Sequence, residues 1–166
     1  MRDASELFDR YHLQVYRYFR RMTERTDVAE DLTQEVFLRV VRYLGRYTPR
    51  ERERAWVFTI ARGVLADHWR LESRQAGEVV LDVTNEAAPA PPPVVALGVA
   101  QALGRLPRHD RELLVLREFG GYSYEELGEI FGLASGAART RVYRVREAVR
   151  AMLGGRAVSH WKARRE

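Results

Sequence analysis

Arginine side chains recur from Ser135 to Arg150, together with a threonine and a tyrosine, and this combination is suited to binding DNA. The planar guanidinium group can donate two hydrogen bonds at once to guanine O6 and N7, or to a phosphate. The formal net charge is +5, and nine basic residues between Arg139 and Arg165 stand against the single acid Glu147. This charge predicts an acidic partner such as nucleic acid, although a solvated basic helix on an ordinary bundle is the alternative.

A short helix followed by a turn precedes these arginines. Ser123 and Glu126 have the spacing of a capping box, in which each side chain binds the other residue's backbone N–H, so we expect a helix to begin at Tyr124. The segment from Gly132 to Gly136 then supplies the glycines of a tight turn.

A second helix is predicted from about Gly136 to Leu153, with Ser135 as its N-cap. Its apolar residues recur at spacings of three and four and define one buried stripe: Ala138, Val142, Val145, Val149 and Met152. The arginines fall on the other faces. A capped helix, a glycine turn and an arginine-bearing helix are typical of a helix-turn-helix whose second helix enters the major groove.

A second group of arginines lies in the loop from Gly45 to Glu53, beside Tyr47 and before a helix predicted from Arg54 to Ser73. Arginines interleaved with an aromatic ring suit single-stranded nucleic acid, because charge follows the backbone and rings stack on bases. A plain charged surface loop is equally compatible with the sequence. Trp56 and Trp69, near the ends of the helix, are either core residues or stacking surfaces.

Two further amphipathic helices are predicted before this loop. The first runs from Asp3 to about Arg25, and the second begins at an Asp27–Glu30 capping box and stops at Gly45. Half of the second helix is predicted to be buried through Leu32, Val36, Phe37, Val40, Val41 and Leu44. Its opposite sector is either a protein-binding surface or a solvated face, and it gathers Asp31, Gln34, Glu35, Leu38 and Arg42.

The chain changes character between Gln75 and Pro93, where three acids and no base precede the run APAPPP. Proline at this density favours an extended linker. We therefore expect an all-α protein with two small helical domains: a first domain at 1–74, a Pro-rich linker at 75–94, a helix-turn-helix domain at 95–153 and a basic tail at 154–166.

Several classes of protein do not fit the sequence. There is no cysteine, so disulfides and thiolate metal sites are excluded, and no cofactor or metal site is expected. Asp67–His68 and His109–Asp110 are adjacent pairs, a spacing that does not present both groups to one substrate, so we predict no catalytic residue. No apolar run is long enough to span a membrane, and no signal peptide is visible, which favours a cytoplasmic protein.

Taken together, these segments resemble one family, the extracytoplasmic-function (ECF, group IV) sigma factors of bacterial RNA polymerase. AEDLTQEVFLRV, from Ala29 to Val40, resembles the D-x-x-Q-E-x-F pattern of sigma region 2, and AWVFTIARGVLADHWR, from Ala55 to Arg70, resembles its W-x-x-x-I-A-R-N helix, with Gly63 in place of the asparagine. GAARTRVYRVREAV resembles the recognition helix of region 4, with Ala137 and Ala138 in place of threonine and valine.

The resemblance implies roles that composition could not provide. The C-terminal domain would bind the minus-35 promoter element as duplex, through Ser135, Arg139, Thr140, Arg141, Tyr143 and Arg144. The N-terminal domain would open the minus-10 element and hold an unstacked base, through Tyr47, Thr48, Arg50, Trp56 and Arg62. The resemblance places the polymerase-binding surface on Asp31, Gln34, Glu35, Leu38 and Arg42.

The implied partners are the clamp and flap regions of the RNA polymerase core, promoter DNA, and an anti-sigma factor of the kind that commonly restrains members of this family. A sigma factor is not itself an enzyme and does not insert into a membrane. Two other classes remain as alternatives: a stand-alone helix-turn-helix regulator, for which no dimerising heptad is visible, and an enzyme with a DNA-binding appendage, for which no catalytic constellation is present.

Overall fold

Helices account for every regular element in the described part of the chain. The computed structural model describes residues 3–47, 52–76 and 98–154. Within them the N-terminal half has three α-helices and the C-terminal half has four: α1 (Ala4–Thr23), α2 (Thr26–Leu44), α3 (Glu53–Gln75), α4 (Val99–Arg105), α5 (Arg108–Glu118), α6 (Tyr124–Phe131) and α7 (Ser135–Met152). The all-α prediction is confirmed. Most of the predicted linker, the basic tail from residue 155, Thr48 and Arg50 lie outside the described residues.

The ends of the first two helices were only partly predictable. Asp3 caps α1, accepting a hydrogen bond from the Ser5 backbone N–H at 3.4 Å, and α2 stops before Gly45 as expected. The Asp27–Glu30 capping box is wrong, because α2 begins at Thr26 and the Asp27 carboxylate pairs with Arg25 at 2.7 Å instead. The chain reverses between the helices at Glu24 with a φ of 58°, a left-handed conformation that is unusual outside glycine.

The apolar residues that recur at helical spacing in α1 form its buried stripe, except Phe8, which is 43% exposed, and this stripe fixes the start of α3. Leu7, Tyr11, Val15, Tyr18, Phe19 and Met22 are all buried. The carboxylate of Glu53, the first residue of α3, is buried and accepts hydrogen bonds from the Tyr11 hydroxyl at 3.0 Å and the Arg10 guanidinium at 2.7 Å. A buried carboxylate needs such donors, so these bonds hold the N-terminus of α3 against α1.

Val41 was predicted to be buried, but it is 61% exposed, because it lies on the side of α2 that also carries the exposed Leu38. Leu71, near the end of α3, is 54% exposed. The buried residues of α3 extend instead to Phe58, Leu65 and Trp69, since α3 is covered by the N-terminal helices on one side and by α6 on another.

The two halves of the chain pack against each other. Helix α3 contacts α6, and α1 contacts α5, so one hydrophobic core continues from the first half into the second. A smaller cluster joins α4, α5 and α7 through Ala102, Leu103, Leu106, Leu114, Val145 and Val149. Among the described residues, none of the helices is both long and apolar enough to cross a bilayer.

Candidate nucleic-acid and polymerase interfaces

Helix α6 begins as its capping box predicts. The Ser123 hydroxyl accepts the Glu126 backbone N–H at 3.1 Å, and the Glu126 carboxylate accepts the Ser123 N–H at 2.8 Å. The helix ends at Gly132, whose φ of 67° is the left-handed conformation that glycine adopts without steric cost. Both signals were readable in the sequence, and both are confirmed.

The turn into α7 closes directly over Gly128. The Leu133 backbone N–H donates to the Gly128 carbonyl at 2.7 Å, and a β-carbon on Gly128 would lie 2.5 Å from the Leu133 carbonyl oxygen. No side chain fits at that distance without movement of the backbone. The angle between α6 and α7 therefore depends on a glycine that the sequence pattern did not single out.

Helix α7 presents the face that was predicted to meet DNA. Ala138, Val142, Val145 and Val149 are buried, while Arg139, Thr140, Arg144 and Tyr143 are exposed, Tyr143 at 64%. The predicted N-cap at Ser135 is wrong: Ala134 holds the N-cap position, no side chain caps the helix, and Ser135 is its exposed first residue. A row of exposed polar side chains on one side of a packed helix has the form needed to reach into a major groove.

Two arginines of the predicted DNA-binding set have partners within the protein. Arg141 is half-buried, and its Nε donates to the Asp110 carboxylate at 3.1 Å. The Arg139 guanidinium lies over the Tyr124 ring at 4.9 Å. A contact between Arg141 and phosphate would have to compete with Asp110, whereas Arg144 is exposed on the groove formed by α5 and α7.

The exposed sector of α2 forms a second surface, which we call the α2 outer face and define as Asp31, Gln34, Glu35, Leu38, Val41 and Arg42. Leu38 is 62% exposed and Val41 adds a second aliphatic side chain one turn further on. Glu35 is half-buried and pairs with Arg39 at 2.7 Å, and Arg39 reaches Asp67 on α3 at 2.9 Å. Apolar groups surrounded by fixed charges are typical of a protein-binding surface.

Two of the residues predicted to act on the minus-10 element are brought together at the start of α3. The Tyr47 and Trp56 rings are 4.3 Å apart between centroids and tilted by 32°. Both side chains are partly exposed. Together they offer an aromatic surface against which an unstacked base could pack.

Arg62, the third of these residues, is occupied by the C-terminal half. Its Nε donates to the Glu112 carboxylate at 3.0 Å, its Nη2 to His109 Nδ1 at 2.8 Å, and its guanidinium lies over the Phe131 ring at 4.2 Å. The Tyr18 hydroxyl completes the site by donating to Glu112 at 3.0 Å. Glu112 was not among the residues predicted from the sequence, although its place on the same helical stripe as Val115 and Leu116 is a signal for a buried acid.

Protonation of His109 would place a positive charge beside Arg62 and Arg141. Burial and the neighbouring Arg62 and Arg141 lower its pKa from 6.5 to about 4, against a weaker opposing effect of Asp110. Burial raises the pKa of Glu112, while Arg62 and Tyr18 oppose that rise. Within the described residues no group of three or more histidine or acidic side chains is placed to hold a metal ion.

Acidification is expected to destabilise the protein through His109. The pKa of His109 is about 4 in the folded state and 6.5 in the unfolded state, so the unfolded state takes up the proton first as the pH falls. The free energy of unfolding is therefore highest above pH 6.5 and decreases as the pH falls towards 4. The loss should be on the order of 2 to 3 kcal/mol, offset in part by Glu112, whose raised pKa acts in the opposite direction. Urea unfolding at a series of pH values measures it.

His109→Gln should flatten that part of the pH profile, since glutamine does not titrate. A wild-type profile retained by His109→Gln would contradict the assignment.

The fold is that of an all-α protein with a helix-turn-helix, whose second helix exposes a polar face. Comparison with known proteins is more specific. Residues 7–75 match the family model for sigma-70 region 2, and residues 97–149 match the model for sigma-70 region 4. The chain belongs to the sigma-70 family of RNA polymerase sigma factors, in its ECF group.

Two curated relatives match the sequence of this chain over most of its length. The RNA polymerase sigma factor CarQ of Myxococcus xanthus is 36% identical over 157 residues, a match covering 92% of this chain and 90% of CarQ. The ECF RNA polymerase sigma factor BldN of Streptomyces coelicolor is also 36% identical, over 84% of this chain and 56% of BldN. The function of the chain is therefore promoter-specific initiation of transcription, with RNA polymerase and promoter DNA as its partners.

Solved structures share the fold. The sigma factor RpoE from Bartonella quintana, in complex with the anti-sigma factor NepR, has a TM-score of 0.71 at 23% identity, and the match covers 90% of this chain and 96% of RpoE. CnrH, in complex with the cytosolic domain of CnrY, has a TM-score of 0.66 at 22% identity, covering 93% of this chain and 89% of CnrH. At these identities the similarity concerns the fold alone.

Proposed function

We propose that the two halves of the chain divide promoter recognition between them. Residues 95–153 bind the minus-35 element as duplex, and residues 1–74 bind the polymerase and open the minus-10 element. The observation that carries the first assignment is the exposed polar face of α7, held by a capped α6 and a glycine turn. The minus-35 residues in this proposal are Ser135, Arg139, Thr140, Arg141, Tyr143 and Arg144.

The adjacent rings of Tyr47 and Trp56 support the minus-10 assignment, because an unstacked base needs a flat apolar surface and nearby positive charge. The loop residues Thr48 and Arg50 belong to the same proposal. Arg62, six residues after Trp56 on α3, supplies a cation.

The α2 outer face is proposed to bind the clamp region of the polymerase core, with the C-terminal half reaching the flap. Its exposed Leu38 and Val41 are the side chains expected to contribute most to affinity, since they would be removed from water. The chain has no catalytic activity of its own in this scheme and acts in the cytoplasm.

An anti-sigma factor is the proposed regulator. Two solved proteins of the same fold are described in complexes that include a named anti-sigma factor or a cytosolic partner domain, RpoE with NepR and CnrH with CnrY. The α2 outer face and the polar face of α7 are the surfaces that such a regulator would have to cover in order to block polymerase and promoter.

Run-off transcription with core polymerase and a library of promoters tests this function. We expect initiation at a subset of promoters that core polymerase alone does not use. Tight DNA binding by the free protein without any initiation above core alone would instead favour a stand-alone helix-turn-helix regulator.

Replacing Arg144 with alanine should weaken binding to the minus-35 duplex by about 1 to 3 kcal/mol, if its guanidinium contacts a base edge. Fluorescence anisotropy with the promoter selected in the run-off experiment measures this loss. Arg150→Ala is the matched control, because Arg150 is an exposed arginine nearer the end of α7 that pairs with Glu147 at 3.2 Å. Equal losses for the two variants would indicate a general charge effect and refute the base contact.

A further inference from the structure

Arg139 on α7 is held by an aromatic ring instead of an acid. Its guanidinium lies over the Tyr124 ring, with 4.9 Å between Cζ and the ring centroid. Three other arginines of α7 pair with carboxylates: Arg141, Arg146 and Arg150. Within the described residues, by contrast, no acid pairs with the guanidinium of Arg139 and no group accepts a hydrogen bond from it, and the side chain is exposed.

The kind of partner decides what a guanidinium group can still do. A carboxylate takes up N–H donors at the edge of the group, as Asp110 does with Nε of Arg141. An aromatic ring attracts the charge through its π electrons and leaves the edge donors to other partners. Arg139 therefore keeps the fork of donors that guanine O6 and N7 require, although its side chain is already held in place.

The Tyr124 ring is itself fixed from several sides. Tyr124 is the first residue of α6, directly after the Ser123 N-cap, and it packs against the main hydrophobic core. The guanidinium of Arg117 also lies over this ring, at 4.3 Å, and its Nη1 donates to the Tyr122 carbonyl at 2.7 Å. Because the cap, the core and Arg117 all hold the ring, it can restrict where Arg139 lies.

We propose that Tyr124 is a positioning residue for promoter recognition, whose ring holds Arg139 where its guanidinium meets the edge of a guanine in the minus-35 duplex. Arg139 lies near the N-terminal end of α7, and the N-terminal residues of a recognition helix are those that contact base edges. Tyr124 acts through Arg139 and needs no contact with a base of its own. This role rests on the proposed minus-35 function of α7.

The ring should contribute to specificity more than to total affinity. A free arginine side chain loses rotamer freedom when it is fixed against a base, and one that is already held by a ring loses less. This advantage applies only at the base pair that Arg139 contacts, whereas contacts to phosphates are the same for every sequence. Loss of the ring should therefore reduce discrimination at one base pair and leave the salt dependence of binding unchanged.

Duplex binding by the full chain, measured by fluorescence anisotropy, tests the role. The probes are the minus-35 duplex selected in the run-off experiment and a set in which each of its G·C pairs is replaced in turn by A·T. Arg139→Ala should abolish discrimination at one of these pairs, and Tyr124→Leu should reduce discrimination at the same pair by at least about fivefold. Tyr124→Phe keeps the ring and should retain the wild-type discrimination.

A double variant separates positioning from a general loss of structure. Once Arg139 is alanine, Tyr124→Leu should cause no further loss of discrimination. Tyr43→Leu is the matched control, because Tyr43 is an exposed tyrosine of α2 outside the helix-turn-helix, and it should leave every base preference unchanged. A Tyr124→Leu protein that loses affinity equally at all base pairs would overturn the positioning role, since that result indicates a displaced α6.

Two further outcomes would also overturn the positioning role. A full loss in Tyr124→Phe would mean that the hydroxyl, and not the ring, is what the DNA requires. Wild-type discrimination retained by Tyr124→Leu would mean that Arg139 needs no support. If the wild-type protein binds the selected duplex no more tightly than a scrambled one, the minus-35 function of α7 falls and the role of Tyr124 with it, so the two failures are distinguishable.

Discussion

Replacing Gly128 with alanine is expected to destabilise the helix-turn-helix and to weaken its binding to the minus-35 duplex. The new β-carbon would lie 2.5 Å from the Leu133 backbone oxygen, so the turn between α6 and α7 must move. Overpacking of this kind costs about 1 to 3 kcal/mol in stability. A change in the angle of α7 should weaken duplex binding by at least about tenfold, because several contacts lose their register together.

Gly63→Ala is the matched control for this substitution. Gly63 lies in the middle of α3, is exposed and has no atom within 4 Å of a β-carbon at that position, so alanine should stabilise the helix by about 0.5 to 1 kcal/mol. Denaturant unfolding and duplex binding measured on both variants make the comparison. A Gly128→Ala protein as stable as Gly63→Ala, with unchanged duplex affinity, would show that the close approach at Leu133 has no consequence.

Substitution of Leu38 and Val41 together by alanine is expected to have the largest effect on polymerase binding. Each is more than 60% exposed in the free protein, so truncation should cost little in folding. If both are buried against the clamp, their loss should weaken binding by about 2 to 4 kcal/mol, which is roughly 30-fold or more. Titration of labelled core polymerase with the variant measures this change.

Leu71→Ala provides the control for exposed aliphatic surface. Leu71 is 54% exposed on α3, outside the α2 outer face, and its truncation should leave polymerase affinity unchanged. The same affinity for wild type, the Leu38 and Val41 double variant and Leu71→Ala would remove the α2 outer face from the proposed docking surface.

Local chemistry accounts for what the sequence could predict about the fold. The capping box of Ser123 and Glu126 depends on residues three apart, and the end of α2 at Gly45 and the buried stripe of α7 also follow from short-range rules. Where the prediction failed at Asp27 and Ser135, the N-cap lies two residues and one residue earlier, at Arg25 and Ala134, and helix ends are decided by small energies.

Contacts between distant parts of the chain could not be predicted in the same way. The sequence separates Arg62 from Glu112 by 50 residues and Arg54 from Glu126 by 72, with the Pro-rich segment between them. Periodicity identifies a buried face without naming what covers it. Val41 illustrates this limit, because its exposure depends on where α1 and α3 stop covering α2 and not on its own hydrophobicity.

The candidate site also combines features that local sequence patterns predict with contacts between distant residues that they do not. The exposed polar face of α7 was predicted from periodicity, whereas the contact between the Tyr47 and Trp56 rings was not. The engagement of Arg62 and Arg141 by Glu112 and Asp110 was not predicted. Both pairings join residues on different helices, so no local pattern could have indicated them.

Glu112 also limits how freely such proteins can be recombined. It belongs to the C-terminal half, yet the two side chains that donate hydrogen bonds to it within the described residues, Tyr18 and Arg62, belong to the N-terminal half. A chimera that joins this C-terminal half to the N-terminal half of another family member would leave a charged carboxylate facing whatever groups that half provides. Engineers who exchange promoter specificities between such proteins should transfer the three residues as a set, or neutralise Glu112.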